Sequence, residues 1–217
     1  MDSPPLPAAP QEWHNVMMMK DEPVLALSIR RPEFPNTGKT ARIERWFDHL
    51  AQQWKTRWET LIFPRACQAM TEAGAQNRIF RPWRTELDYT ITLWQEPLLS
   101  LRLDATEAGQ QVGRPSRFCM GETWDCASGY PRTLRSFFPV KAHHWHKELL
   151  DSLKDQAAQQ LASGESLLDP DYARIMERSF DPDRFYLTET GITVFYPMYL
   201  LGPYAEGIPS FTVPMPA

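Results

Sequence analysis

Three histidines crowded into Lys141-Ala-His143-His144-Trp-His146 are the first residues whose type and spacing suggest chemistry. Imidazole titrates near neutral pH and is the commonest metal ligand. On a helix His143 and His146 would share a face, with His144 pointing elsewhere. Two ligands fall short of the four a structural zinc takes. The chain also has no Cys-x-x-Cys or His-x-x-x-His pair. The reading is of surface histidines at a helix start and no metal. Asp169, Asp171, Asp181 and Asp183 could assemble paired carboxylates, but each precedes a proline or flanks a turn, so capping and turn formation account for them. There is no Gly-x-Ser-x-Gly elbow, no P-loop and no dinucleotide fingerprint. Cys67, Cys119 and Cys126 stand outside any nucleophile signature, and their odd number argues against a complete disulfide framework. The expectation is a protein that is not an enzyme, with no catalytic residues, no cofactor and no ligand-binding residue assignable from sequence.

Composition sets the frame around these residues. The chain has 217 residues, 42% of them hydrophobic, with 8 Trp, 11 Phe and 7 Tyr, ample for a buried core. A net charge of −4 leaves no global footprint for nucleic acid. The charge is uneven: residues 143–217 carry 5 basic and 11 acidic groups, against 18 and 16 before them. An acidic third of this kind can steer a basic partner, although a solvated helical face explains it as well. There is no signal peptide and no run of 18 apolar residues, so the sequence as written reads as cytoplasmic, or extracytoplasmic if it has been trimmed. Free thiols agree with a reducing compartment.

The elements that would position any site can be placed by periodicity. Residues 1–19 read as a proline-rich, disordered tail, and 20–217 as a single domain. Leu25, Leu27 and Ile29 alternate as a strand that Pro32 and Pro35 close. Ile43, Trp46, Phe47, Leu50, Trp54, Leu61 and Ile62 form a helical stripe, with Pro64 a kink or end and Gly74 the final stop. Leu87 to Leu93 and Leu99 to Leu103 alternate on either side of Gln95-Glu96-Pro97, an antiparallel hairpin with one wet face. A loop at 105–117 leads to a strand near Phe118 to Cys126. Helices follow from about His143 to Leu161 and from an Asp169-Pro170 cap. A hairpin turning at Glu189-Thr190-Gly191 and a short strand at Phe211 to Val213 complete the chain. This order indicates an α+β fold: an antiparallel sheet packed with one long amino-terminal helix and two helices before the C-terminal hairpin. The contact surface is either the sheet's exposed face or the loop at 105–117, and the loop is favoured because loops carry function on rigid scaffolds.

The closing segment, FYLTETGITVFYPMYLLGPYAEGIPSFTVPMP over residues 185–216, carries a more specific pattern. Pro203 and Gly207 fix a compact loop, while Tyr199 and Tyr204 can bury their rings and hydrogen-bond their hydroxyls. This segment closely resembles the end of the RsiV C-terminal-domain family. Leu98 to Phe138, with LLSLRLD, a glycine-containing loop and GETWDCASGYPRTLRSFF, is similar to a second stretch of that family. The likeness extends over about residues 20–216. It implies a non-catalytic recognition module of the bacterial cell envelope, a domain found in anti-sigma factors that bind lysozyme and attached to polysaccharide deacetylases. Tyr199, Pro203, Tyr204 and Gly207 carry over as structural framework residues. The chain lacks the family's sigma-binding segment and membrane helix, and its Gly109-Gln-Gln-Val-Gly113 loop lacks the histidine seen there. The resulting expectation is a binding module for a protein such as lysozyme or for a cell-wall ligand. The alternative is a cytoplasmic regulatory or scaffold protein using the same fold for another protein partner.

Overall fold

A computed structural model describes residues 8–107 and 114–216. Two sheets organise the described residues. Six strands run in the order β1-β2-β3-β4-β5-β6: β1 (Ala8–Met19), β2 (Glu22–Glu33), β3 (Trp83–Gln95), β4 (Leu98–Glu107), β5 (Ser116–Asp125) and β6 (Tyr130–Pro131). A second sheet holds β7 (Phe185–Thr188), β8 (Gly191–Phe195) and β9 (Ser210–Val213), paired antiparallel throughout. The fold is therefore α+β as expected. The expected single antiparallel sheet is replaced by two sheets, and in the first of them β2 and β3 pair parallel, from Leu25↔Trp83 to Ile29↔Leu87. Parallel neighbours need a long crossover, and here the helical segment between them supplies it.

Contacts divide the chain into two compact units, one built from residues 4–89 and 104–116, the other mainly from 90–103 and 117–217. In the first, β1 forms over Ala8–Met19, which corrects the expectation of a disordered tail for those residues. Lys20 and Asp21 both take left-handed φ values, 52° and 64°, and close a two-residue hairpin that pairs Met19 with Glu22. Two positive φ angles match the twist of adjoining strands. Proline composition hid this strand; residues 1–7 lie outside the described ones. β2 also runs past Pro32, because the β1–β2 register slips at that point and no ladder donor is needed there.

The amphipathic stripe forms α1 (Thr40–Arg57), a π-helical turn (Trp58–Ile62) and α2 (Phe63–Ala75). Pro64 has no N–H to give the carbonyl four residues back. The wide turn before it accommodates this, with the Phe63 N–H reaching the Trp58 carbonyl. Ile43, Phe47, Trp58 and Ile62 are buried beside Leu25, Leu27 and Ile29, whereas Trp46 lies exposed. Trp58 belongs to the stripe although it was not among the residues expected there. Its indole donates to Glu107 Oε1 at 3.0 Å, and Arg57 binds both oxygens of the same buried carboxylate, at 2.6 and 2.9 Å.

In the second unit α3 (Trp145–Ser163) and α4 (Tyr172–Arg178) cover the β7–β9 sheet. Leu149, Leu153 and Ala157 from α3 and Met176 from α4 share a core with Phe185, Ile192, Val194, Tyr196 and Phe211. Ser100 alternates with Leu99 and Leu101 and so falls on the face expected to be wet, yet it is wholly buried. Its hydroxyl accepts the Leu187 N–H at 2.8 Å and lies 2.8 Å from the Thr123 hydroxyl, so strand β7 rests on β4 and β5.

Candidate functional site

A concave polar site lies between β1 and α1. It has a volume of about 210 Å³ and is lined by Gln11, Glu12, Trp13, Ile29, Arg31, Asp48, Ala51, Gln52 and Lys55. Strand alternation aims Trp13 at the helix, and Lys55 stands over its ring with Nζ 4.4 Å from the centroid. Asp48, Ala51, Gln52 and Lys55 recur at three- and four-residue spacing and so share one face of α1.

Arg31 is buried in the wall. It donates to Glu44 Oε1 at 2.8 Å, to Asp48 Oδ1 at 3.5 Å and to the Pro32 carbonyl at 3.1 Å. Glu44 Oε2 accepts the Phe34 N–H at 2.8 Å, so a single carboxylate ties the start of α1 to the end of β2. At the rim Glu12 lies 4.0 Å from Arg30 and 3.6 Å from His14. Arg30 bonds Asp88 and sits 4.8 Å over the Tyr89 ring; the Asp88 hydrogen bond, above all, holds its pKa above the ordinary arginine value. The groove thus joins one aromatic face to two cations, two carboxylates and two carboxamides. Small-ligand sites combine apolar area with a few placed polar groups in this way.

None of the histidines, aspartates, cysteines or framework residues singled out from sequence enters this groove. His143 and His144 precede α3, and the His146 ring packs 4.7 Å from Phe180 and 5.6 Å from Trp145. Asp169 and Asp181 accept the N–H two residues on, from Asp171 and Asp183 at 2.9 and 3.0 Å. The helix begins only at Tyr172, so Asp169 forms an Asx turn instead of the expected cap. Among the described residues no three His, Cys, Asp or Glu side chains gather to hold a metal ion. Cys67, Cys119 and Cys126 are unbonded to one another. The core of the 105–117 loop, including Gly109 and Gly113, lies outside the described residues.

Tyr199 is 58% exposed, which corrects the expectation of a buried ring, and its backbone is left-handed at φ 67°. Its ring lies 6.0 Å from Tyr204, which opens a single 3-10 turn (Tyr204–Glu206) after Pro203; Gly207 follows at φ 74°. Glu206 accepts the Leu167 N–H, which docks this loop onto residue 167. Trp13, Arg31 and Lys55 were missed from sequence. Their one legible signal was the alternation of Gln11, Trp13 and Asn15, masked by neighbouring prolines.

Comparison with known proteins agrees with this fold. The profile of a family described as "Protein of unknown function (DUF3298)" matches residues 139–215. A solved DUF3298 family protein from Pseudomonas aeruginosa PAO1 is similar with a TM-score of 0.63 at 16% identity, over 98% of this chain and 92% of that one. A member of the same family from Bacteroides fragilis NCTC 9343 gives 0.62 at 15% identity, over 97% and 92%. These likenesses show a shared fold. No curated protein matches the chain significantly. Among the described residues no helix is long and apolar enough to cross a membrane.

Proposed function

We propose that the chain is a non-catalytic binding module of bacterial cell-envelope type that recognises a protein such as lysozyme or a cell-wall ligand through the β1–α1 groove. The observation that carries this reading is the groove's lining. Trp13 offers an apolar face, and Gln11, Glu12, Asp48, Gln52 and Lys55 offer donors and acceptors around it, with no Ser, Thr, Cys or His among the lining residues. An apolar face ringed by a few placed polar groups suits holding a ligand. The resemblance of residues 185–216 to the RsiV C-terminal domain supports the envelope setting, and the acidic charge of 143–217 suits a basic protein.

The test is biolayer interferometry of the protein against hen lysozyme and against soluble peptidoglycan fragments, at low and physiological salt. Saturable binding to either that survives physiological salt supports the reading; binding to neither overturns it. Three cysteines with no disulfide between them favour a second reading, a cytoplasmic regulatory or scaffold protein with another protein partner. Recovery of the native protein in a washed cell-wall fraction would count against that one.

A further inference from the structure

β1 is the outermost strand of its sheet, and among the described residues no strand lies along its free side. Natural edge strands of this length are blunted by prolines, bulges or inward charges, since an open row of N–H and C=O groups templates pairing. On β1 these devices sit at one end only. The register against β2 slips between Ala8 and Gln11, where Pro10 lies. The second slip falls between Met17 and Met18, and there β2 carries the extra residue, Val24. From Gln11 to Met19, β1 is therefore unbulged and free of proline. On its open face Val16 and Met18 are 51% and 48% exposed.

A strand that meets its own copy antiparallel sets residues opposite one another in a single mirrored register. Centred on Val16, that register places Val16 against itself, His14 against Met18, Asn15 against Met17, Trp13 against Met19 and Glu12 against Lys20. It covers both exposed apolar side chains and brings opposite charges together at each end. A centre one residue later sets Lys20 against His14 and carries Glu12 past the end of the partner strand, since Glu22 already lies on β2. A centre one residue earlier leaves Glu12 facing Met18. Opposite charges across a strand pair stabilise it and like charges destabilise it, so the Val16 centre wins.

We infer that the chain forms a two-fold dimer by antiparallel pairing of β1 with β1 of a second copy, centred on Val16, with Glu12 opposite Lys20 at both ends.

Sedimentation equilibrium of the full chain over a concentration series tests this, with melting temperature as the folding control. The wild type should show a reversible monomer–dimer equilibrium. Val16→Lys sets two ammonium groups against each other at the centre and should raise the dimer Kd by about tenfold or more, equivalent to ~1.4 kcal/mol. Glu12→Lys alone should weaken the dimer, and Glu12→Lys with Lys20→Glu should restore it. A wild type that stays monomeric overturns the proposal and leaves the edge for a strand of a different protein. A dimer indifferent to Val16→Lys, or a double variant no better than Glu12→Lys, also overturns it.

Discussion

Gly121 on β5 lies so close to Phe185 on β7 that a Cβ built on the glycine would stand 1.8 Å from the Phe185 carbonyl oxygen. The same contact seam holds Ser100, whose hydroxyl takes the Leu187 N–H. Backbone-to-backbone approach of this kind is possible only where side chains are absent or small. Replacing Gly121 by Ala should therefore force the two strands apart and destabilise the protein by about 3 kcal/mol. Urea denaturation of the variant checks this; an unchanged midpoint would show that β7 does not rest there.

Glu107 is buried at the end of β4, with Arg57 and Trp58 as its donors. Truncating it leaves the Trp58 indole N–H without that acceptor and strips Arg57 of its bidentate partner. Glu107→Ala should cost about 3 kcal/mol of stability, well above the value of an exposed pair. Thermal and urea melts measure it, with Lys147–Asp151, an exposed pair on α3, as the comparison expected to cost little.

Cys126 titrates abnormally high. Burial first, then the charges of Asp125 and Glu96, push its thiol up to about 11 from the ordinary 9.0. The folded state then holds this proton when the unfolded chain has already lost it, so stability from this group is full below pH 9 and falls as pH rises toward 11. The thiolate is the reactive form, so in a variant with Cys67 and Cys119 replaced by alanine, Cys126 should label with a thiol reagent more slowly at pH 8 folded than in urea. Equal rates would contradict the assignment.

Tyr199 sits at φ 67°, where a side chain is strained, and its ring is mostly in solvent. Glycine tolerates that backbone without a Cβ clash. Relief of about 1–2 kcal/mol of left-handed strain outweighs the roughly 0.5–1 kcal/mol of extra unfolded-chain entropy that glycine brings, so Tyr199→Gly should hold stability constant or raise it by up to about 1 kcal/mol. A loss beyond that range in a melting experiment would show that the ring's contact with Tyr204 outweighs the strain.

Much of the fold was legible because hydrophobic periodicity is local. Leu25 to Ile29, the stripe from Ile43 to Ile62, the hairpin through Leu87 and Leu103 and the closing strands all form where their spacing puts them. What escaped depends on pairing between distant residues. The parallel β2–β3 ladder cannot be read from either strand alone, and Ser100 looks solvent-facing until β7 covers it. β1 was lost because prolines and consecutive methionines blur its alternation, and the groove was lost with it, since Trp13 becomes a wall only when β1 pairs with β2. Asp169 shows a subtler miss: the residue chemistry was right for a backbone bond, but it closes a turn and the helix starts three residues later.

The groove is the centre of the functional account, and its most direct test is a titration of 15N-labelled protein with hen lysozyme and, separately, with soluble peptidoglycan fragments. One of them should shift the Trp13 indole resonance and the backbone amides of Gln11, Gln52 and Lys55, and Trp13→Ala should weaken this binding by about tenfold or more. Binding that leaves these resonances unmoved, or that survives Trp13→Ala undiminished, would contradict it.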